Sequence, residues 1–501
     1  MSEKMKNMEL AADNSNSSQK SLKKNAFFNF LLSGSSILFP LITTPYISRV
    51  LNIEDIGIIN QGAVFSTLFI NLISLGLSGY GAREIARVRD DKKKLNEVFF
   101  SVILLHFIAF IIGALFYLGF TFFFVDEHRL KKIYLIYFFL LFSNPFMIEW
   151  FYTGLEEFRY ISVRSILIKV LMFVMLFVFV RTSKDFFHYA ILLVGAQSLN
   201  SIFNILHAGK YINFKFIKFS LKHILFGAKY FYFQTLVAIC YQNINQLVLG
   251  NNDKVQLALY VRATTLAALI SSCTTPIMNA VKPRLEHIIS SDKNRYESYI
   301  DKCFNCVMVL LFPICFGIAA LSSNIMLIFG GEQFSLGGAV LKTVAFSALV
   351  SNFSVFLNNI ISTPAGFEKN TLFGNASVAF FSLVLNPVLI SQSGAKGAAL
   401  AMLLAESSGV VIQLLFIKRQ KLYLKFINYK LLKYFISAAF MYFLVEFLCT
   451  QIQSNFLAFF VCILSGATVY LLVYLIFDIV FKDKNDVIIS SLYKFISRGG
   501  K

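Results

Sequence analysis

Phe39–Leu51 reads FPLITTPYISRVL and closes the first long apolar run of the chain. It holds two prolines, Pro40 and Pro45, followed by Arg49. Proline removes a backbone donor and kinks a helix, and arginine is costly in hydrocarbon. Kinked and broken helices occur in transporters, where a cavity takes up the irregular backbone. Pro40 and Pro45 are therefore expected to bend a first membrane span. Arg49, at its outer end, faces either a vestibule or the plain membrane interface.

The surrounding sequence supports a membrane setting. Of 501 residues 57% are apolar, 57 are phenylalanine and the mean hydropathy is +0.67, whereas soluble domains are roughly 45–50% apolar. The apolar residues fall in runs of about 18–25, the length that crosses a bilayer. A net charge of +19 in a soluble chain would suggest nucleic acid; in a membrane protein, basic residues gather in cytoplasmic loops. Cys303 and Cys306 have CxxC spacing, but no second pair or histidine cluster completes a metal site, so neither a metal nor a cofactor is expected. Residues 1–24 are polar and lack the apolar core of a cleavable signal; they read as a disordered cytoplasmic tail.

Fourteen spans are expected, at about 26–47, 57–78, 98–125, 133–152, 161–181, 186–207, 226–249, 255–280, 303–329, 338–361, 371–391, 396–417, 434–450 and 456–480. They are separated by turn signals such as GNND, FGGEQ and SQSGAKG. With the amino terminus inside, 34 of the 46 Lys and Arg residues lie on the cytoplasmic side, 8 lie outside and four (Lys169, Lys229, Arg262, Lys342) fall within spans. This asymmetry places both termini in the cytoplasm. The long basic and aromatic cytoplasmic connections read as amphipathic segments on anionic lipid, and nucleic acid is not an expected partner.

Within the spans, polar residues line up at helical spacing. Asn60, Thr67, Asn71, Ser74 and Ser78 form one stripe; Gln197, Asn200, Asn204 and His207 a second; Arg262, Thr265, Ser272, Thr275 and Asn279 a third; Thr343, Ser347, Ser351, Ser354 and Asn358 a fourth. The seventh span is rich in amides, among them Gln242, Asn245 and Gln246. Any one stripe could be interhelical glue; four stripes and an amide-rich span favour a water-filled cavity. Lys229, Lys342, Glu446 and Asp478 lie near span ends and can snorkel, whereas Lys169, Arg262 and Glu406 lie deeper. Intramembrane charges are candidates for a functional site, with a structural ion pair of Glu406 as the alternative. Cations in a cavity suit an anionic substrate.

Four segments carry a resemblance. FPLITTPYISRVLNIEDIG, SLGLSGYGAREIARVRDDKKKL, IEWFYTGLEEFRYISVRSILIKV and AESSGVVIQLLF resemble, in order, the first helix, the second helix with its loop, the fourth-to-fifth helix junction and the twelfth helix of bacterial Wzx-type polysaccharide flippases. That family lies within the multidrug/oligosaccharidyl-lipid/polysaccharide exporter (MOP, MATE-like) superfamily. The similarity spans about residues 22–420.

The resemblance implies an all-α polytopic fold of two six-helix lobes, 25–207 and 226–420, with a cytoplasmic linker at 208–225, two additional helices at 421–481 and a cytoplasmic tail at 482–501. It implies a non-enzymatic flippase in a bacterial cytoplasmic membrane. The cargo would be undecaprenyl-diphosphate-linked oligosaccharides for O-antigen, capsule or exopolysaccharide, with membrane lipid and possible polymerase and chain-length partners. It makes Arg49, Arg83, Lys169 and Arg262 candidates for headgroup contact or gating, and the polar stripes and amide-rich span add Asn60, Asn71, Gln242 and Asn245 as candidates for substrate binding or gating. Glu149 and Glu406 become candidates for a counter-ion or ion-coupling role. Arg83 could equally anchor its loop or pair with Glu84. Two departures stand out: Asn245 and Gln246 replace a common Asp-Lys pair, and Ala258 stands where glycine is frequent.

A multidrug or metabolite exporter of the same superfamily would want an aromatic, acidic pocket. A polysaccharide polymerase or ligase would carry a long extracytoplasmic catalytic loop, which is not visible here. A flippase for a peptidoglycan- or teichoic-type precursor would differ only in its headgroup.

Overall fold

A computed structural model describes residues 31–213 (except 33, 37 and 75), 219, 224, 227, 232, 235, 243–289, 292–424, 429–451 and 456–481. Among these residues the regular structure is helical, without a strand. The physical reason is that hydrocarbon offers no partner for backbone N–H and C=O groups, so each span satisfies its own. Eleven helices in this set are long and apolar enough to cross a membrane. Lys369–Arg419 is a 51-residue stretch broken at Gly394, enough for two crossings. The expected spans 26–47 and 226–249 lie partly outside the described residues. A count of fourteen is compatible with this.

The chain divides into two compact units, one of Met1–Leu51 and Gly62–Ile239, the other of Asn52–Gln61 and Cys240–Lys501. The first contains α1 (described at 31–32, 34–36 and 38–50), most of α2 (Ile53–Ser74), α3 (Leu77–Val88), α4 (Lys92–Phe123), α5 (His128–Ser143), the short α6 (Glu149–Gly154), α7 (Phe158–Phe179) and α8 (Phe186–Ala208). α3 packs on α4 and α6, α5 on α4 and α8, and α7 on α8. The core at one end joins Tyr80, Phe99, Trp150, Phe151, Tyr152 and Ile161. α3 and α6 meet closely because Gly81 leaves room for the Trp150 ring, which a Cβ there would approach to 2.6 Å. Asp91 caps α4 by accepting from the amides of Lys93 and Lys94.

The second unit contains α9 (Ile244–Asn252), α10 (Lys254–Ile288), α11 (Lys293–Ala320), α12 (Ser322–Gly330), α13 (Gly338–Phe356), α14 (Lys369–Arg419), α15 (Tyr429–Gln451) and α16 (Phe456–Phe481). The turn signals land where expected. Asp253 of GNND caps α10, and Gly331 of FGGEQ sits at φ 74, a region glycine enters without strain. Gly394 of SQSGAKG bends α14 back on itself at φ 51. Gln256 accepts from the Ala395 amide at that bend, 2.9 Å away. Ser377 and Ser408 meet at 2.9 Å across the two halves. Asn370 and Gln420 exchange amide bonds of 2.8 and 2.9 Å at their ends.

Many outward-facing side chains of both units are large and apolar, for example Leu115 and Phe116 in α4 and Phe443 in α15. Lipid contact explains exposed surface of this kind. Lys342 and Glu446, each read from sequence as snorkelling at a span end, pair at 3.1 Å and tie α13 to α15.

Candidate functional site

The polar stripe of α13 opens into a cavity of about 360 Å³ inside the second unit. Ser351 and Ser354 enter it from α13, Asn245 and Gln246 from α9, Tyr260 and Thr264 from α10, and Met402 and Glu406 from α14. A helical step of three or four residues puts Ser351 with Ser354, and Met402 with Glu406, on one face. The stripe ends in a π-helical turn, Leu357–Ser362, an irregularity often found at functional sites. Ser351 and Glu406 face the same cavity, and the Gln413 amide donates to Ser354 at 2.8 Å.

Asn245 organises the wall. It accepts from the Asn386 amide at 2.8 Å and donates to the Tyr260 hydroxyl at 2.9 Å. Its position on the short α9 fixes three helices around one amide. The lining carries one carboxylate and, among the described residues, no lysine or arginine. Amides, hydroxyls and a single acid suit polar neutral groups, a proton or a small cation better than an anion. The cationic cavity expected from the sequence is therefore not this one.

Cations and an acid meet in the first unit. Arg164 of α7 bonds Glu149 of α6 at 2.5 Å, with Arg164 buried and Glu149 half exposed. The guanidinium lies 5.4 Å from the centre of the Tyr160 ring, which in turn stacks on His207 at 3.7 Å. Farther along α7, the Lys169 ammonium donates to Ser35 at 3.0 Å and Ser36 at 2.8 Å. Pro40 has no N–H to close on the Ser36 carbonyl, so α1 presents extra acceptor capacity beside that lysine.

Of the residues singled out from sequence, Asn245, Gln246, Ser351, Ser354 and Glu406 thus share a cavity, and Glu149 lies on α6 and Lys169 on α7 of the first unit. Arg262 and Asn60, in the second unit, are not in that cavity's lining. Arg49 is exposed and bonds the Pro45 carbonyl at 2.9 Å. Arg83 is exposed, 3.4 Å from Glu84 and over the Tyr80 ring. Arg262 is buried over Phe334, 4.8 Å from the ring centre. Asn60 and Asn71 are half buried in α2, and Gln242 lies outside the described residues. On α8, Asn204 is buried and its backbone carbonyl accepts from the Tyr152 hydroxyl at 2.6 Å, while its side-chain oxygen finds no partner among the described residues.

Sequence reasoning passed over Arg164. Its position four residues after Tyr160 on one helix, facing an acid-Trp-Phe segment, was the available signal.

Fold and cavities together define an all-helical, multi-pass membrane protein whose polar groups are collected inside its helical units. The chain belongs to the polysaccharide biosynthesis protein family, whose sequence profile matches residues 22–289. It is 22% identical over 421 residues to a protein of Escherichia coli (strain K12) named as an O-antigen transporter, covering 81% of this chain and 99% of that one. A Shigella dysenteriae protein of the same name is 25% identical over 413 residues, covering 80% and 100%. Among solved structures, the lipid II flippase MurJ in an inward closed conformation superposes with a TM-score of 0.71 at 15% identity, covering 91% of this chain and 98% of that one. An inward-facing multidrug resistance MATE family transporter of the MOP superfamily gives 0.60 at 14% identity, covering 76% and 94%. The shared fold is that of MurJ and the MATE transporters.

Proposed function

We propose that this protein is a flippase that moves undecaprenyl-diphosphate-linked oligosaccharide repeat units across a bacterial cytoplasmic membrane by alternating access, for O-antigen, capsule or exopolysaccharide synthesis. The observation that carries this reading is membership of the polysaccharide biosynthesis family, joined to near full-length similarity to proteins named as O-antigen transporters. The chemistry fits. A diphosphate and sugars cannot cross roughly 30 Å of hydrocarbon unaided, and hydroxyl-, amide- and cation-bearing surfaces can replace their hydration. The lipid tail stays in the bilayer, so no bond is made or broken and the protein acts as a transporter rather than an enzyme.

In this reading both termini are cytoplasmic, supported by the distribution of Lys and Arg. Residues 25–207 and 226–420 are the two lobes. Lys169 and the other basic candidates, Arg49, Arg83 and Arg262, meet the headgroup or gate it, with Asn60, Asn71, Gln242 and Asn245 contacting sugars. Glu406 serves ion coupling, and Glu149 is a counter-ion. Polymerase and chain-length proteins are the partners that would take the delivered unit. The likeness to MurJ favours one second reading, a flippase for a peptidoglycan-type lipid.

The test is transport in reconstituted liposomes of a short undecaprenyl-diphosphate oligosaccharide, with lipid II and a cationic dye as competing cargoes. Wild type is expected to move the oligosaccharide lipid, and Lys169→Ala and Arg262→Ala to fold and move less. Transport of lipid II alone would favour the second reading, and export of the dye alone would overturn both.

A further inference from the structure

Arg164 is 6% exposed, yet only part of its guanidinium is satisfied. Nη2 bonds Glu149, while Nε and Nη1 are buried and find no acceptor among the described residues. Buried donors left unpaired are costly, most of all on a charged group. A protein that keeps such a group buried has a use for its free donors. The guanidinium presents a rigid fork of five N–H groups that matches a phosphate or carboxylate bidentately. The Tyr160 ring beneath it and the packing of Tyr152 and Tyr160 onto α8 hold the fork in place.

Glu149 differs from its partner in exposure. Its side chain is 52% exposed against 5% for that of Arg164, so it can swing to water while the arginine stays. Lys169, five residues further along α7, stands about 7.5 Å deeper at 1.5 Å per residue. Arg164 and Lys169 are the two cations of α7 here, and Glu157, which accepts from Tyr211, is a second acid near Tyr152.

We propose that Arg164 is an anion-binding residue for a diphosphate group, and that Glu149 is its resting counter-ion, displaced when the phosphate arrives. Lys169 is the next cation along the path. This rests on the flippase reading for its cargo, but the site itself is defined by the orphaned donors. A diphosphate could come on a lipid or free in solution, and the chemistry recognised is the same.

The chain supplies its own reporter. Trp150, its single tryptophan, directly follows Glu149 and is 5% exposed. Full-length protein in nanodiscs is titrated with inorganic pyrophosphate and, separately, with undecaprenyl diphosphate, and tryptophan emission is followed. Wild type is expected to show a saturable change. Glu149→Gln, which removes the competing charge while keeping the side chain's shape, is expected to bind about tenfold tighter, a difference of roughly 1.4 kcal/mol. Arg164→Ala is expected to lose saturation, and Arg164→Lys, a cation without the fork, to weaken it.

Saturation by both probes makes the free diphosphate sufficient; saturation by the lipid alone makes the headgroup the source. Either supports the site. Unchanged or weaker binding in a folded Glu149→Gln protein, or no saturable signal with either probe, overturns it and leaves the Arg164–Glu149 pair purely structural. The two readings separate cleanly. Oligosaccharide-lipid transport with no effect of Glu149→Gln on binding removes this inference alone. Tighter pyrophosphate binding in Glu149→Gln without transport removes the flippase reading and keeps the site.

Discussion

Gly397 shows how little freedom the bend in α14 has: a Cβ there would lie 1.8 Å from the Leu389 carbonyl oxygen. Backbone cannot yield as a side chain can, so Gly397→Ala is expected to lower stability by about 2–4 kcal/mol. Thermal unfolding in detergent measures it. Gly119, with nothing within 4 Å of its Cβ position, is the control; Gly119→Ala is expected to be neutral or slightly stabilising, since alanine is the better helix former. Asn245 makes a second residue-scale case. Asn245→Ala removes one of two partners of the Asn386 amide, which keeps the Ser382 carbonyl, and one of two of the Tyr260 hydroxyl, which keeps Met402. The expected loss is about 0.5–1.5 kcal/mol per hydrogen bond removed, read by the same unfolding experiment. The sequence marked Asn245 by residue type alone. That it bridges α10 and α14 depends on long-range packing, which local spacing does not encode. Arg164 was missed for a related reason: at the edge of a span it reads as one more cytoplasmic cation, and burial distinguishes it.

At the scale of elements, Lys342 and Glu446 join α13 to α15. Both side chains are 40–45% exposed, so a double-mutant cycle with Lys342→Ala and Glu446→Ala is expected to give a coupling of about 0.2–1 kcal/mol. A coupling of zero would mean that the α15–α16 pair is held by apolar packing alone. The cap of α4 depends on pH. The Lys94 and Lys93 amides, which bond the Asp91 carboxylate, hold its pKa below the ordinary value of 3.8. A carboxyl whose folded value is depressed contributes stability above the unfolded value, and that contribution is lost as pH falls through the folded one. The first turn of α4 is thus expected to stay protected above about pH 3.8 and to fray below it. Hydrogen exchange at Lys93 and Lys94 follows the change, and Asp91→Asn is expected to keep the cap without the pH step. The polar stripes illustrate what periodicity can and cannot say. The stripe through Ser351 and Ser354 lines a cavity, whereas on α8 Asn204 is buried and His207 stacks on Tyr160. Spacing identifies a shared face, but not what packs against it.

For the whole molecule, the charge asymmetry predicts that the two sides of the membrane can be told apart chemically. In a cysteine-free background, Asp90→Cys is expected to resist a membrane-impermeant maleimide in intact cells and Asn252→Cys to react. The reverse pattern would invert the topology. The multi-pass helical class, most span positions and the turns at Asp253, Gly331 and Gly394 were legible in the sequence. Hydrocarbon length and the need to satisfy every backbone group leave few alternatives, and glycine and capping residues mark the breaks locally. The sequence by itself also determined the supply of intramembrane amides, hydroxyls and charges. Their surroundings came from tertiary structure: Glu406 and Ser351 share a cavity whose described lining carries no lysine or arginine, Arg262 was placed on Phe334, and Arg164 was set against Glu149 with donors to spare. Ionic and hydrogen-bond pairing depends on which helix faces meet, and that is decided by packing between segments tens to hundreds of residues apart.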